Sequence, residues 1–548
     1  MNKTLITLLT LIAVFAMATG AFAEQDTDAK LKALEKRLQG LEQKAAKDRI
    51  QWTGDLRVEA HSIAGEVDPY VDGMRMQALT YGAMFYTDPN FGAGAPITSV
   101  DDIDQYIAAN YADFQVFRSM NDFPQVKDWV QAMAAGNPAG MQQMMMMFAA
   151  DAYSDGFKTD NSLLYTTRLR LNMAAKVAKN VGFMGRLSMY KPWGASTQTG
   201  VFNGQANSMN TDAAWPGVPG DATLKVDRAY FTWSNIADVP LYLSLGRRPS
   251  TDGPPLHYRQ DEKRAGTPMG TIIDMQFDGA TLGYNFGSKT TVRACYGLGY
   301  ESQYGNGSLN KSNALKDAQF FGFNIDAYNT PKMQIQTTIA RAFDITDGYT
   351  GNIIMPNDPV SGQAMPGPIV TRFTPSANLG DFDVASLLLA RRDGPFDWFV
   401  TGSWSKSNPE EGVTGPFGGL MSGPYDNPES KTGDMYYVGA RFNFNDEKTK
   451  IGLEWNKGSE YWFNFAPSQD DIIAPKTSTR GTVWEGYTTH RISRRFVVKL
   501  AYIHYDYDYT GSGWHVGAPA ALDGTPAIQG FPTYSQVGKF SLGFSARF

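Results

Sequence analysis

From Trp52 onward apolar and charged residues take turns: Trp52, Gly54, Leu56, Val58 and Ala60 occupy one parity, and Thr53, Asp55, Arg57 and Glu59 the other. A period of two sends successive side chains to opposite faces of an extended chain, so this segment reads as a β-strand with one apolar and one charged face. The same pattern recurs toward the C-terminus, and its interruptions alternate strictly between short and long. Tight turns fall near Lys179-Asn180, Ala237-Asp238, Gly287-Ser288, Asn329-Thr330, Asp393-Gly394, Asp446-Glu447 and Ser493-Arg494. Between them lie long Gly-, Pro- and Asp-rich segments, among them Gly194 to Ala222, Thr251 to Gly270, Ile345 to Gly380, Ser459 to Ser478 and Thr510 to Tyr534. Seven tight turns and eight long loops predict about sixteen strands with both chain ends on the tight-turn side. A soluble sandwich has no reason to sort its loops by side. The expected fold is therefore all-β: a transmembrane antiparallel β-barrel whose charged parity lines the interior.

Three segments depart from this period. Residues 1–23 hold Lys3, an apolar run from Leu5 to Met17 and the ending Ala21-Phe22-Ala23, the order of a secretory signal peptide. Residues 24–50 carry Leu31, Leu34, Leu38, Leu41 and Ala45 at the spacing of a heptad seam, which predicts a periplasmic coiled-coil or linker helix. Residues 51–548 are the barrel, interrupted at 66–160 by an insertion with helical spacing in Ile103 to Met120 and Phe123 to Ala135, then a methionine run from Met141 to Met147. This insertion holds thirteen acidic and four basic residues, net −9, against −6 for the whole chain, so the remainder is net +3. Its methionines read as adaptable helix packing, with ligation of a soft ion such as Cu(I) as the sharper reading.

Mean hydropathy is −0.33, and beyond the leader no apolar run is long enough to span a bilayer as a helix, so strands are the only route across. Aromatic residues make up 13% of the chain, a composition suited to interfacial girdles. The single Cys295 excludes an intrachain disulfide and the C-x-x-C-H of a c-type haem. Phosphate loops, H-E-x-x-H and nucleophile elbows do not occur, so neither an enzyme, a metal site nor a cofactor is expected. Acidity together with export disfavours nucleic acid.

The last strand closes on Phe540, Leu542, Phe544, Ala546 and the terminal Phe548, which resembles the assembly signal of outer-membrane barrels. With the N-terminal seam and this ending, the chain resembles Gram-negative outer-membrane porins that carry a short N-terminal coiled coil, and a group of larger porin-like proteins with a long first loop. The stretch Asp227 to Trp233, followed by Leu241 to Arg248, looks like porin strands bearing lumen-facing arginines. The insertion at 66–160 is far longer than a porin's usual first loop and puts a simple open pore in doubt.

The resemblance implies passive diffusion of small hydrophilic solutes, a homotrimer in lipid and lipopolysaccharide of the cell outer membrane, and reading of Phe548 by the barrel-insertion machinery. Strand parity assigns Arg57, Arg168, Arg170, Arg186, Arg228, Arg248, Arg293, Arg441, Lys499 and Lys539 to the lumen, against Asp55, Glu59, Glu454 and Glu485. That net basic wall implies a mild preference for anions, unless the arginines serve only to pair with wall carboxylates. The third long loop, 250–270, carries His257, Arg259, Asp261, Glu262, Lys263 and Arg264, and by resemblance would narrow the pore. Two other readings stand beside the porin: a barrel sheath or scaffold for a partner such as an electron-transfer protein, and a surface adhesin displaying the first loop.

Overall fold

The computed structural model describes residues 34–38 and 50–548, except 122, 195–218, 221, 277, 303–314, 347–351, 355–369, 373–376, 412, 414–418, 424–426, 445–446, 468, 514–516 and 531. The expected signal peptide, residues 1–23, lies outside the described residues. Of the heptad seam only 34–38 are described, as a helical stretch with Leu34 and Leu38 exposed.

Sixteen strands close a barrel: β1 Ile50–Val67, β2 Phe157–Ala178, β3 Val181–Pro192, β4 Lys225–Ser234, β5 Leu241–Arg247, β6 Asp278–Phe286, β7 Thr290–Tyr300, β8 Ala318–Asn329, β9 Met333–Thr346, β10 Asn378–Asp393, β11 Phe396–Pro409, β12 Thr432–Phe444, β13 Thr449–Gly458, β14 Gly481–Ser493, β15 Phe496–Tyr507 and β16 Gln536–Arg547. Each pairs antiparallel with its neighbours in chain order, and β1 pairs with both β2 and β16, so no sheet edge is left open. Consecutive strands flank all seven positions where the pattern placed tight turns, and the eight long connections, here L1 to L8, all leave from the opposite rim.

The seam is finished by the chain end. Gly54 and Phe548 exchange two backbone hydrogen bonds, both 2.9 Å. A Cβ at position 54 would lie 2.6 Å from the Phe548 ring, so glycine lets that ring lie flat on β1.

Outward parities expose Trp233, Phe323, Ile339, Leu387, Val400, Tyr436, Leu453, Trp484, Leu500 and Phe540, an apolar surface around the tube. Among the described residues no helix is long and apolar enough to cross a membrane; the strands carry that surface. Inward parities are charged on β1 to β4, whereas on β8 to β12 they mix polar residues such as Asp326, Gln336, Asp397 and Ser405 with the buried apolar Phe320, Ala340, Leu379, Phe382, Val384, Leu388, Phe399 and Met435. Both faces of β10 are therefore apolar, which strand parity alone does not explain. The inward apolar side chains pack against L3 and L7, described below.

L1 spans residues 68–156 and holds five helices: α1 Gly73–Thr87, α2 Val100–Ala109, α3 Tyr111–Met120, α4 Phe123–Gly136 and α5 Pro138–Asp151. The segment read as one helix from Ile103 to Met120 divides at Asn110, and α1 went unread. Ser99 and Asp102 form a capping box at the start of α2. Met141 and Met144 join Leu79, Ala83, Val100, Ile103 and Phe148 in a small core, so these two methionines serve packing, whereas Met146 is exposed. The unit is moored by Tyr70–Asp72, which pairs parallel with Ala527–Gln529 of L8 and antiparallel with Tyr153–Ser154.

Candidate functional site

L3 (248–277) and L7 (459–480) fold into the barrel and join each other there. The Phe465 amide donates to Ile272 O at 2.8 Å, and the Asp274 amide to Phe465 O at 2.7 Å. Asn464 donates to Thr271 O at 2.8 Å, and Gln469 to Gly270 O at 3.0 Å. Met269, Ile272 and Ile273 of L3 share one apolar cluster with Trp462 and Phe463 of L7 and the inward side chains of β8 to β12. Burying that much apolar surface makes the two loops a packed plug rather than solvated crossings. The wall is shaped to admit them: a Cβ at Gly458 would lie 2.2 Å from Thr479 O.

Charged side chains knit the plug to the wall. Arg57 pairs with Asp470 of L7 and with Glu59 at 2.8 Å. Arg168 reaches Asp470 at 2.7 Å and Asp55 at 3.2 Å. Arg170 reaches Glu262 of L3 at 2.6 Å and Asp55 at 2.9 Å. Arg186 pairs with Asp227, and both Arg186 and Arg228 meet Asp252 of L3 at 2.9 Å. Arg293 and Arg264 converge on Asp326, each at 2.8 Å. Arg441 pairs with Asp397 at 2.8 Å, and Asp261 takes Lys450 at 2.6 Å. Arg259 holds Asp471 at 2.8 Å and Glu485 at 3.0 Å. The Lys476 ammonium of L7 lies between Glu454 at 2.7 Å and Glu485 at 2.8 Å, under the Tyr437 ring at 4.8 Å. Glu454 and Glu485 are directly opposed on β13 and β14.

L3 thus touches β2, β8, β13 and β14, crossing the interior. Of its singled-out residues, Arg259, Asp261, Glu262 and Arg264 hold the wall, Lys263 is exposed, and His257 is half-buried against Tyr258, their ring centres 4.4 Å apart. Burial, with Arg264 and Arg441 beside it, lowers the His257 pKa to about 3. Burial opposes ionisation of Asp252 and Asp470, but Arg186, Arg170 and Arg228 around the first, and Arg57 and Arg168 around the second, outweigh it and hold both carboxyls below their ordinary range. Arg248 differs: it lies over Tyr230 at 5.7 Å, and among the described residues it has no carboxylate partner.

The expectation of a net basic wall left out the carboxylates that L3 and L7 bring in, and Asp227, Asp326 and Asp397 of the wall itself. The residues unread in the sequence are those of L7: Trp462, Asp470, Asp471 and Lys476. Their one available signal was an aromatic run, Tyr461 to Phe465, beside paired acids in a loop.

Between plug and wall a polar cavity of about 30 Å³ remains, lined by Arg57, Glu59, His61, Tyr190, Arg259, Lys499 and Lys539, with Asp470 and Glu485. One water needs roughly 10–15 Å³, so it holds a few. Among the described residues no group of three or more His, Cys, Asp or Glu is arranged to hold a metal ion.

A family model described as "Protein of unknown function (DUF3373)" matches residues 158–548. The chain belongs to this family. The match opens at β2, so β1, which closes the barrel, and the helical L1 lie outside it. No curated protein sequence matches the chain. Among solved structures it is similar to the anion-selective porin from Comamonas acidovorans (10% identity, 91% of this chain and 99% of that one, TM-score 0.41). It is also similar to OmpT of Vibrio cholerae in its trimer form (11%, 91% and 99%, 0.40) and to Pseudomonas putida OprB (9%, 93% and 97%, 0.39). Values this low carry no inference about what the chain does.

Proposed function

We propose that this DUF3373 chain is an outer-membrane channel through which small hydrophilic solutes diffuse, and that it catalyses no reaction. The observation that carries the reading is the closed barrel with an apolar outside and, beside the L3–L7 plug, a water-sized polar cavity between charged side chains. A tube of this kind keeps a solute in water while it passes the apolar layer, and its fixed charges select by sign. Around the cavity four cationic side chains, Arg57, Arg259, Lys499 and Lys539, oppose three carboxylates, Glu59, Asp470 and Glu485. The expected preference is for anions and weak. A cavity that holds only a few waters in all implies a small conductance. A partner protein held inside the tube is disfavoured, because the chain's own loops fill that space.

In this reading three copies associate through the N-terminal seam, lipopolysaccharide surrounds the apolar belt, and the insertion machinery reads Phe548. The test is reconstitution in planar bilayers with a salt gradient. Small, reproducible steps whose reversal potential favours anions slightly support the channel. A barrel that inserts without conducting, or one strongly cation-selective, overturns it.

A further inference from the structure

On its wall side the polar cavity beside the plug opens over a flat place in β15 and β16, where Ala501 and Ser541 are directly opposed and both small. Lys499 and Lys539 occupy the next inward positions to either side, Lys499 opposite Gly543 and Lys539 opposite Ile503. The three carboxylates that line the cavity are already engaged. Glu59 holds Arg57 at 2.8 Å, Asp470 holds Arg57 and Arg168, and Glu485 holds Lys476 at 2.8 Å and Arg259 at 3.0 Å. Lys499 comes no nearer than 3.7 Å to Glu485, beyond hydrogen-bond reach. Lys539 is only 8% exposed and lines the cavity, yet its ammonium forms no ion pair or hydrogen bond among the described residues. A buried ammonium without an acceptor is costly, and an anion in the space it faces would remove that cost.

We propose that this cavity holds one resident halide ion, bound between the Lys539 and Lys499 ammonium groups, and that the ion braces the L3–L7 plug against β15 and β16. Neither lysine reaches a carboxylate of L3 or L7 among the described residues, so the ion supplies there the link that Arg57, Arg168 and Arg170 supply on β1 and β2. Gln260 of L3 lines the same space, and its amide can donate to the ion from the plug side. Ser541, whose hydroxyl meets His61 Nδ1 at 2.8 Å, can donate from the wall when that nitrogen carries the ring proton. Compact ammonium charges suit a spherical ion; the guanidinium forks that would match a planar carboxylate are occupied. At about 30 Å³, against roughly 10–15 Å³ for one water, the space admits a monatomic ion and a water and refuses a sugar acid. The proposal rests on the cavity of the channel reading, but its test needs no membrane, so failure to bind and failure to conduct are separate results.

The full-length barrel is purified in nonionic detergent and sodium gluconate, crystallised, and soaked in sodium bromide, whose anomalous scattering locates a halide. A bromide peak should stand in the cavity beside the Lys539 ammonium, and it should be lost in Lys539→Met. In solution, replacing gluconate by chloride at equal sodium should raise the temperature at which the unheated barrel loses its compact gel migration. That rise should vanish in Lys539→Met and persist in Lys179→Gln, which removes an exposed lysine from a tight turn. An empty cavity in the native crystal, or a peak unchanged in Lys539→Met, overturns the site. A peak without the chloride-dependent rise marks binding at soaking concentration only and overturns the bracing. Should Lys539→Met fail to assemble, Lys499→Met takes its place with the same expected losses, and an empty native cavity sinks the proposal whichever variant folds.

Discussion

Lys476 sits fully buried with two glutamates and a tyrosine ring for company, and neither glutamate chose that position for its own stability. Two carboxylates facing each other across β13 and β14 repel unless a cation stands between them. Lys476→Met should therefore cost about 3–5 kcal/mol, the usual penalty for stripping one side from a buried pair, and lower the temperature at which the unheated barrel loses its compact gel migration. An unchanged transition would mean that water reaches the glutamates. Gly54 makes the complementary case, where absence of a side chain is the requirement. Gly54→Val should cost about 1–3 kcal/mol by displacing the Phe548 ring, with unassembled barrel accumulating in a folding assay; normal yield would show that the ring moves aside freely. Gly54 was legible as a member of an alternating strand, but its role was not, because the ring above it arrives from the far end of the chain. Lys476 was illegible for a similar reason: in sequence it is one lysine in a polar loop.

Strands were the legible elements, since a period of two survives over seven or more residues and the tight turns punctuate it. Loops with no period hid the rest. L7 shows no alternation, so its aromatic run from Tyr461 to Phe465 does not say that Trp462 and Phe463 will be buried in one cluster with Phe382. α1 was missed because its small and aromatic residues do not form a clean stripe, while α2 was caught at its apolar spacing and starts at its Ser99 box. Ser99→Ala should weaken α2 by about 1 kcal/mol and quicken hydrogen exchange of its first amides, leaving the barrel transition in place. Replacing residues 462–475 with a short Gly-Ser linker tests the plug as a unit. It removes Asp470 and Asp471, uncovering Arg57, Arg168 and Arg259, so conductance should rise severalfold and the reversal potential move toward anions. The shift should fade at high salt, as screening shortens from about 10 Å at 0.1 M to about 3 Å at 1 M. A larger conductance with unchanged ion preference would place the conducting path away from those arginines.

For the whole barrel the charged plug sets a pH response. Asp252 and Asp470 ionise below the ordinary carboxylate range, so the stability they give is complete above about pH 4 and is lost only as pH falls through their lowered values. The plug should stay seated, and conductance flat, between about pH 5 and 8. His257, lowered to about 3, acts over a different window: the unfolded chain gains its proton near pH 6.5 while the folded one refuses it, so stability declines as pH falls from there toward 3. His257→Gln should remove one group's share of that decline in a thermal-melt series; an identical series would show that the ring is hydrated. The mooring of L1 has a consequence in time. Tyr70–Asp72 pairs with Ala527–Gln529, so a unit whose helices are complete by residue 151 waits for nearly the whole remaining chain before it can be seated. β1 waits likewise for β16. Contacts this distant in sequence form late and slowly. The mooring of L1 and the barrel seam are thus completed by one terminal stretch, L8 and β16, and a chain stopped before it leaves two unfinished joints that only the final residues can close together.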